Sequence, residues 1–250
     1  MIAAQCPVSK KTVDVLILGY CKEGRIEEAS NLAEEMLVEG FCPDQFTFNT
    51  LVRGLCNSGH VKHALELFDL MLQEGFDLYT VTYETLISRL RKYGQFDEAM
   101  GVLNQMISRD YKGILPDVHT FNSLIQGLCL TKNHKLAYEL FHGMKTTGCQ
   151  PVAFTYNVLI GSLCSSGKLD RALSLFEEME SSDCTRDVVT YNTLISGFSK
   201  TKRIEEAEEI VDRMTLVGLQ PNNITYNSML HRYCRVGNIK KAANIVQTMA

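Results

Sequence analysis

The chain has 250 residues, of which 45% are apolar and 22% charged, and its formal net charge at pH 7 is −4. This composition is typical of a folded, water-soluble protein, and no apolar run approaches the length that a membrane-spanning helix requires, so we expect no membrane partner. The negative net charge, taken alone, argues against binding to nucleic acid, because such binding rests largely on lysine and arginine.

The first residues of the chain, Met1 to Lys11, contain one proline and two lysines. They lack the apolar core of a secretory signal and the arginine- and serine-rich composition of an organelle transit peptide. We therefore expect either that the protein stays where it is synthesised or that its true N-terminus is missing from this sequence.

A repeat of 35 residues runs through the chain. The aligned segments begin at Lys10, Gln45, Thr80, Val118, Ala153, Val188 and Asn223, and only the third is longer, with 38 residues. Position 20 is always alanine: Ala29, Ala64, Ala99, Ala137, Ala172, Ala207 and Ala242. Position 27 is always methionine: Met36, Met71, Met106, Met144, Met179, Met214 and Met249. A fixed period of this length is typical of repeat proteins.

Each segment predicts two helices joined by a short turn. In residues 188–222, apolar side chains recur at helical spacing from Tyr191 to Phe198 and again from Ile204 to Met214. Thr190 is predicted to cap the first helix. Most segments place glycine between the helices, where a left-handed C-cap is expected: Gly24, Gly59, Gly94, Gly167 and Gly237.

A unit of two helices cannot bury its own apolar faces, and stacking of neighbouring units buries them as one core. We interpret the alanine at position 20 as a close approach of helices and the methionine at position 27 as a core residue that fills an irregular gap. The predicted fold is all-α, a right-handed α-solenoid of about seven helix-turn-helix repeats. Its expected boundaries are an N-terminal extension at 1–9 and repeats at 10–44, 45–79, 80–117, 118–152, 153–187, 188–222 and 223–250, the last one truncated.

The nine cysteines follow the repeat and do not form metal motifs. Five occupy one repeat position: Cys21, Cys56, Cys129, Cys164 and Cys234. No Cys-x-x-Cys pair occurs, whereas tight metal sites usually contain two closely spaced ligands. We interpret the cysteines as small apolar side chains in a reducing compartment, and we expect no metal and no cofactor.

The repeat resembles the pentatricopeptide repeat, or PPR. The resemblance is carried by the runs VVTYNTLISG at 188–197, FTYNVLI at 154–160 and ITYNSML at 224–230, and by endings such as EMLVEGFCPD at 35–44. It covers residues 10–250. The tetratricopeptide repeat, a peptide-binding solenoid, is the main competitor, but it has a period of 34 residues and usually a tryptophan, which this chain lacks. The uniform 35-residue units are similar to the P-type arrays common in plants.

The resemblance implies binding of single-stranded RNA with one base per repeat. It implies that residues at positions 5 and 35 read the base: Asn49, Asn122, Asn157, Asp187, Asn192, Asn222 and Asn227. It further implies that position 2 packs on the bases, through Phe46, Val81, Phe154, Val189 and Ile224. From the residues alone, asparagine at position 5 equally suits the first turn of a helix. The family also implies a mitochondrion or chloroplast and a role in RNA processing, stability or translation.

Charge is distributed unevenly over the repeat. The first fourteen positions carry ten basic and three acidic residues in total, which gives +7 and leaves −11 for the rest of the chain. Since first helices line the concave face of such a solenoid, we expect a basic inner surface. Position 13 offers Lys22, Lys92, Lys200 and Arg235 for phosphate contacts.

Only two complete pairs of reading residues match the family pattern. Asn157 with Asp187 resembles a uracil reader, and Asn192 with Asn222 resembles a cytosine reader. Asn227 favours a pyrimidine. The pairs that depart from the pattern are Asp14/Asp44, Asn49/Tyr79, Glu84/Asp117 and Asn122/Val152.

We expect no catalytic activity and no small-molecule substrate. The sequence lacks the zinc-deaminase motif that ends some family members, and it lacks a phosphate loop, Gly-x-Ser-x-Gly and His-Glu-x-x-His. Two alternatives stay open: a helical scaffold that binds protein partners, and a truncated gene product without function. The chain has no polar capping helix after the seventh repeat, so we expect a fragment. The three extra residues near 110–113 are either a loop insertion or the junction of a lost repeat.

Overall fold

A computed structural model describes residues 9–40, 43–73, 75, 78–108, 115–182 and 184–249. The described residues form fourteen helices and no strand. The helices are α1 Lys10–Glu23, α2 Ile26–Val38, α3 Gln45–Asn57, α4 Val61–Gln73, α5 Thr80–Lys92, α6 Phe96–Ser108, α7 Val118–Leu130, α8 His134–Thr146, α9 Ala153–Ser165, α10 Leu169–Ser181, α11 Val188–Lys200, α12 Ile204–Leu216, α13 Asn223–Arg235 and α14 Ile239–Met249. The prediction of an all-α helical repeat is confirmed. The expectations for residues 1–8 and 110–113 lie outside the described residues.

The chain forms two compact units, residues 1–120 and 121–250. In the first unit, α1, α3 and α5 lie side by side and pack against α2, α4 and α6 respectively. In the second unit, α9, α11 and α13 lie side by side, and α10, α12 and α14 pack against them in the same way. Each unit is therefore a short solenoid in which the odd-numbered helices form one layer. None of the described helices is long and apolar enough to cross a membrane.

Where the residue at repeat position 35 is aspartate or asparagine, its side chain caps the first helix of the following repeat. The carboxylate oxygen Oδ1 of Asp187 accepts a hydrogen bond from the backbone N–H of Thr190 at 2.8 Å. Asp44 and Asp117 accept in the same way from Thr47 and Thr120, both at 2.7 Å. The prediction that Thr190 is the N-cap is wrong: the helix begins at Val188, and Asp187 satisfies the free N–H groups of its first turn.

Left-handed residues end the first helices, as the glycine pattern predicts. Gly24, Gly59, Gly94, Gly167 and Gly237 have φ between 72° and 87°. The two repeats without this glycine use Lys132 and Lys202 at the same point, with φ of 63° and 74°. This conformation costs a residue with a side chain about 1–2 kcal/mol, so the turn geometry is maintained against the local preference.

The alanine column and five of the seven position-27 methionines lie in the core, whereas Met36 is half-buried. The alanines at position 20 from Ala29 to Ala207 are 0% exposed, and Ala242 is 5% exposed. The methionines from Met71 to Met214 are fully or almost fully buried, which confirms the core interpretation for them. Met249, in the last helix, is 38% exposed.

Aromatic pairs join successive repeats. Phe68 meets Tyr83 edge to face with ring centroids 5.2 Å apart, and Phe176 meets Tyr191 in the same way at 5.1 Å. The pair Phe141 and Tyr156 repeats this geometry at 5.3 Å. Each pair links the second helix of one repeat to the first helix of the next, and such contacts contribute about 0.5–1.5 kcal/mol beyond the area that they bury.

Two of the five cysteines in the repeat column are buried as predicted. Burial raises the pKa of Cys56 and of Cys164 to about 11, in each case against a smaller opposing effect of a nearby cation. Both thiols therefore stay protonated and unreactive at neutral pH. Cys234 departs from the expectation, because it is exposed in the last repeat.

We expect Ala207→Leu to lower the free energy of unfolding by about 1–3 kcal/mol, because the added side chain must overpack a fully buried site. Ala243→Leu is the matched control, since Ala243 is exposed on α14 and should tolerate the change within about 0.5 kcal/mol. Urea unfolding followed by circular dichroism measures both. Equal midpoints for the two variants would contradict the close packing at position 20.

The N-cap role of Asp187 predicts different effects for two substitutions. Asp187→Ala removes the acceptor and should lower the free energy of unfolding by about 0.5–2 kcal/mol, whereas Asp187→Asn keeps a good cap and should change it little. Thermal and urea unfolding of both variants test this. Equal destabilisation by the two variants would show that the negative charge, and not the cap, matters here.

Candidate nucleic-acid interface

Apolar side chains at repeat position 2 lie on the surface of the first helices. Phe46 is 69% exposed, Val189 57% and Ile224 62%, and Val81 and Phe154 are also largely exposed. All five stand one residue after the start of a first helix. Apolar groups exposed at a regular interval mark a binding surface more often than isolated ones do. His119, which occupies position 2 in the fourth repeat, is exposed as well.

The position-5 asparagines lie deeper than position 2. Asn122 and Asn192 are only 8% and 7% exposed, and Asn49 and Asn157 are half-buried. Asn227, in the first helix of the seventh repeat, is exposed. A buried amide must be hydrogen-bonded to avoid a desolvation penalty. Burial therefore restricts which amide atoms face the surface.

Two position-5 asparagines reach the position-35 residue of their own repeat. Nδ2 of Asn157 donates to Oδ1 of Asp187 at 3.4 Å, and Nδ2 of Asn192 donates to Oδ1 of Asn222 at 3.1 Å. These are the two pairs that the sequence singles out as complete. The Asn122 repeat ends in Val152, whose side chain has no polar group to pair with the amide.

The acidic pair of the first repeat has a structural role. Oδ1 of Asp14 accepts a hydrogen bond from the backbone N–H of Asp44 at 2.9 Å, and Asp14 is only 7% exposed. The pair Asp14/Asp44 therefore fixes the junction between the first two repeats. In the third repeat, burial and then the charge of Asp117 raise the pKa of Glu84, against an opposing effect of His119.

The hydrogen bonds of Asp187 and Asn222 leave different atoms available. Thr190 and Asn157 bond Oδ1 of Asp187, so Oδ2 remains able to accept. Partial burial acts to raise the pKa of Asp187, but these hydrogen bonds outweigh it and hold the pKa below its usual range. Asp187 is thus an acceptor at neutral pH.

Asn222 leaves a hydrogen-bond donor available, where Asp187 leaves an acceptor. Its Oδ1 accepts from the backbone N–H groups of Ile224 and Thr225, at 3.0 and 3.2 Å, and from Asn192. Its Nδ2 amide group is therefore left as a donor. The two complete pairs present an acceptor in one repeat and a donor in the next.

Grooves separate the first helices of successive repeats. The groove between α9 and α11 has a volume of about 400 Å³, and Asn192, Lys200, Asn222 and Ile224 are among the residues that line it. The groove between α11 and α13 has about 430 Å³. Its lining includes the basic side chains Lys200, Arg232 and Arg235, together with His231. In the first unit, Lys22, Phe46 and Arg53 help to line a groove of about 660 Å³.

Within the described part of the chain, several cations on the second helices form ion pairs with carboxylates, whereas the position-13 cations on the first helices do not. Arg213 and Lys241 lie 3.0 and 2.5 Å from carboxylates of the preceding second helix, Glu177 and Glu208. The ion pairs between described residues include none of the exposed position-13 cations, which are Lys22, Lys92, Lys200 and Arg235. The layer of first helices therefore carries positive charge that the described acidic residues do not neutralise.

Sequence reasoning missed the role of position 3. This position is threonine in all seven repeats: Thr12, Thr47, Thr82, Thr120, Thr155, Thr190 and Thr225. Six of the seven, all except Thr12, are buried, and several donate to a reading residue. The invariant column was the signal that could have identified them. Arg232 and His231 were also missed as groove residues, because they lie outside position 13.

No group of three or more histidine, cysteine, aspartate or glutamate side chains suited to a metal ion occurs within the described residues. The groove residues that the structure does bring together are amides, hydroxyls, cations and apolar groups. These groups are suited to hydrogen bonding, stacking and charge neutralisation.

Comparisons with known proteins agree with this geometry. A model described as PPR repeat family matches residues 10–57, 43–91, 78–130, 116–165, 151–191 and 186–235, and one described as PPR repeat matches 224–250. A comparison with curated protein sequences gives no match.

Solved structures share the fold. The crystal structure of the maize protein PPR10 is 20% identical with a TM-score of 0.64, covering 98% of this chain and 39% of the maize chain. PPR10 in complex with an 18-nt psaJ RNA element is 21% identical with a TM-score of 0.55, covering 97% and 40%. The PPR domain of Arabidopsis thaliana protein-only RNase P 1 in complex with tRNA is 18% identical with a TM-score of 0.58, covering 75% and 97%.

The present chain thus spans about two fifths of the maize protein. The Arabidopsis thaliana structure that it matches is a PPR domain alone. Because the family models together cover residues 10–250, this chain belongs to the pentatricopeptide repeat family.

Proposed function

We propose that this protein binds single-stranded RNA in a sequence-selective manner, with one base per repeat along the first helices. The observation that carries the proposal is the pairing of positions 5 and 35, at Asn157/Asp187 and Asn192/Asn222. Each pair lies beside exposed apolar side chains at position 2, so a base edge meets hydrogen-bonding groups while its faces meet apolar ones.

The polarity of each pair selects between the two pyrimidines. Uracil carries an N–H donor at N3, and the free acceptor of Asp187 complements it. Cytosine carries an acceptor at N3, and the free donor of Asn222 complements it. The second unit therefore favours uracil followed by cytosine in adjacent repeats, which agrees with the assignment that the family resemblance implies.

We assign the contacts with RNA phosphates to cations near the C-terminal ends of the first helices. Lys200 and Arg235 are exposed on neighbouring helices, and neither takes part in the ion pairs found between described residues. Neutralisation of phosphates by such residues makes binding salt-dependent. The negative net charge does not oppose this role, because the second helices carry much of the acidic excess.

We further propose that the protein acts without catalysis of its own and supports processing, stability or translation of a transcript in a mitochondrion or chloroplast. The proposal on catalysis is supported by the groove lining, which offers binding groups. The compartment and the process rest on family membership.

Selection from a random single-stranded RNA pool tests base reading. We expect enrichment of a motif that contains adjacent uracil and cytosine, because the two complete pairs are neighbours in the chain. Asn157→Ala and Asn192→Ala should each erase the preference in one column of the motif. Arg213→Ala, on a second helix, is the control and should leave the motif unchanged.

Absence of any enriched motif at low salt would overturn the proposal. Capture of a defined peptide by the same surface, with no RNA binding above a scrambled-sequence control, would favour the protein-binding scaffold instead.

Salt titration tests the assignment of phosphate contacts. Lys200→Ala and Arg235→Ala should each lower the slope of log affinity against log salt by about 0.7, the value for one phosphate of a single strand. Lys241→Ala is the matched control, because Lys241 is paired with Glu208 on the other layer and should leave the slope unchanged. Equal slopes for all three variants would show that Lys200 and Arg235 do not contact RNA phosphates.

A further inference from the structure

In five of the seven repeats, the threonine at position 3 donates its hydroxyl to a residue at position 5 or 35. In three repeats the acceptor is Oδ1 of the position-5 asparagine in the preceding repeat. Thr155 donates to Asn122 at 2.7 Å and Thr225 donates to Asn192 at 2.5 Å. Thr82 donates to Asn49 in the same way.

The residue at position 35 is not a carboxylate in any of these three cases. It is Tyr79 before Thr82, Val152 before Thr155 and Asn222 before Thr225. The hydroxyl proton therefore has no charged acceptor at the helix start and reaches back to the asparagine of the preceding repeat. For Thr225 the neutral Oδ1 of Asn222 is a second, longer acceptor at 3.3 Å, and the hydroxyl oxygen accepts from the backbone N–H of Asn222 at 3.1 Å.

In two of the three repeats that end in aspartate, the carboxylate redirects the hydroxyl, whereas the hydroxyl of Thr47, which follows Asp44, is buried without a hydrogen-bond partner among the described residues. Thr120 donates to Asp117 and Thr190 donates to Asp187, both at 2.8 Å. A charged acceptor forms the stronger hydrogen bond, so the carboxylate captures the proton. In the repeat that ends at Asp187, Oδ1 of Asn157 is left buried without a hydrogen-bond partner among the described residues.

We propose that the position-3 threonine is a positioning residue for base selection, a role that rests on the proposed RNA binding. Its hydroxyl holds Oδ1 of the preceding position-5 asparagine inward, and Nδ2 then faces position 35 and the groove. Residue 35 decides whether this contact forms. Both pyrimidines carry an acceptor at O2 on the Watson–Crick edge, where guanine has an amino donor and adenine a C–H. An outward Nδ2 therefore favours a pyrimidine over a purine, and the threonine acts without touching RNA.

The contact between Thr225 and Asn192 gives the sharpest test, because Asn192 belongs to a complete pair. Thr225→Val keeps the shape of this fully buried side chain and removes the hydroxyl, whereas Thr225→Ser keeps the hydroxyl. Thr215→Val is the control, since Thr215 bonds only the carbonyl oxygen of Asp212 in its own exposed turn. Selection from a random RNA pool is performed with each variant, and Asn222→Asp identifies the motif column of this repeat by changing cytosine to uracil there.

In that column, Thr225→Val should lower the preference for pyrimidines over purines by about three- to tenfold, the effect of losing one neutral hydrogen bond. The other columns should keep their preferences, and Thr225→Ser and Thr215→Val should match the original protein. A Thr225→Val preference equal to that of Thr225→Ser would overturn the positioning role while leaving RNA binding intact.

A measurement without RNA separates this inference from the proposed function. The side-chain amide signals of Asn192 in the free protein should shift in Thr225→Val and stay in place in Thr215→Val, as ¹H–¹⁵N NMR measures. Unchanged Asn192 signals in Thr225→Val would show that the amide is not held by Thr225. Held amides in a protein that enriches no RNA motif would instead overturn the proposed function alone.

The dependence on position 35 has its own test. Thr190→Val should leave the pyrimidine preference in the Asn157 column within about twofold, because Asp187 anchors Nδ2 of Asn157 and the threonine does not contact this asparagine. A loss in this column as large as that caused by Thr225→Val would show that residue 35 does not decide the contact.

Discussion

Each repeat buries its apolar faces only against its neighbours, and the rest of the structure depends on this constraint. Fully buried alanines at position 20 allow close helix packing, and edge-to-face aromatic pairs such as Phe176 and Tyr191 join one repeat to the next. The first helices consequently lie side by side within each compact unit. This arrangement brings position 5 of one repeat next to the start of the following helix, where the reading groups meet.

At the first helices that follow Asp187 and Asn222, one side chain caps the helix and, in the proposed function, also contacts a base. A helix start has free N–H groups that need an acceptor, and Asp187 or Asn222 supplies it. The same side chain then presents its remaining atom to the groove, as an acceptor in Asp187 and as a donor in Asn222. Capping therefore fixes the orientation of this side chain, and in the proposed function a base contacts the atom that capping leaves free.

Charge is divided between the two helical layers for a related reason. Second helices bear many carboxylates, and cations such as Arg213 and Lys241 pair with them across successive repeats. The first helices carry few acids, so Lys200 and Arg235 stay available for phosphate. The same chain can thus have a negative net charge and a surface suited to a polyanion.

The sequence by itself determined the helical repeat, its period and the core columns, because burial against identical neighbours imposes the same residue at the same position in every unit. It also identified both complete pairs, Asn157/Asp187 and Asn192/Asn222. Only the tertiary structure decided which hydrogen bonds these residues form. The capping role of Asp187, which sequence reasoning gave to Thr190, and the contact of Thr225 with Asn192 both depend on which hydrogen-bond acceptor lies nearest in space. Asn192 and Thr225 are 33 residues apart, and no local pattern states which of two acceptors a hydroxyl will choose.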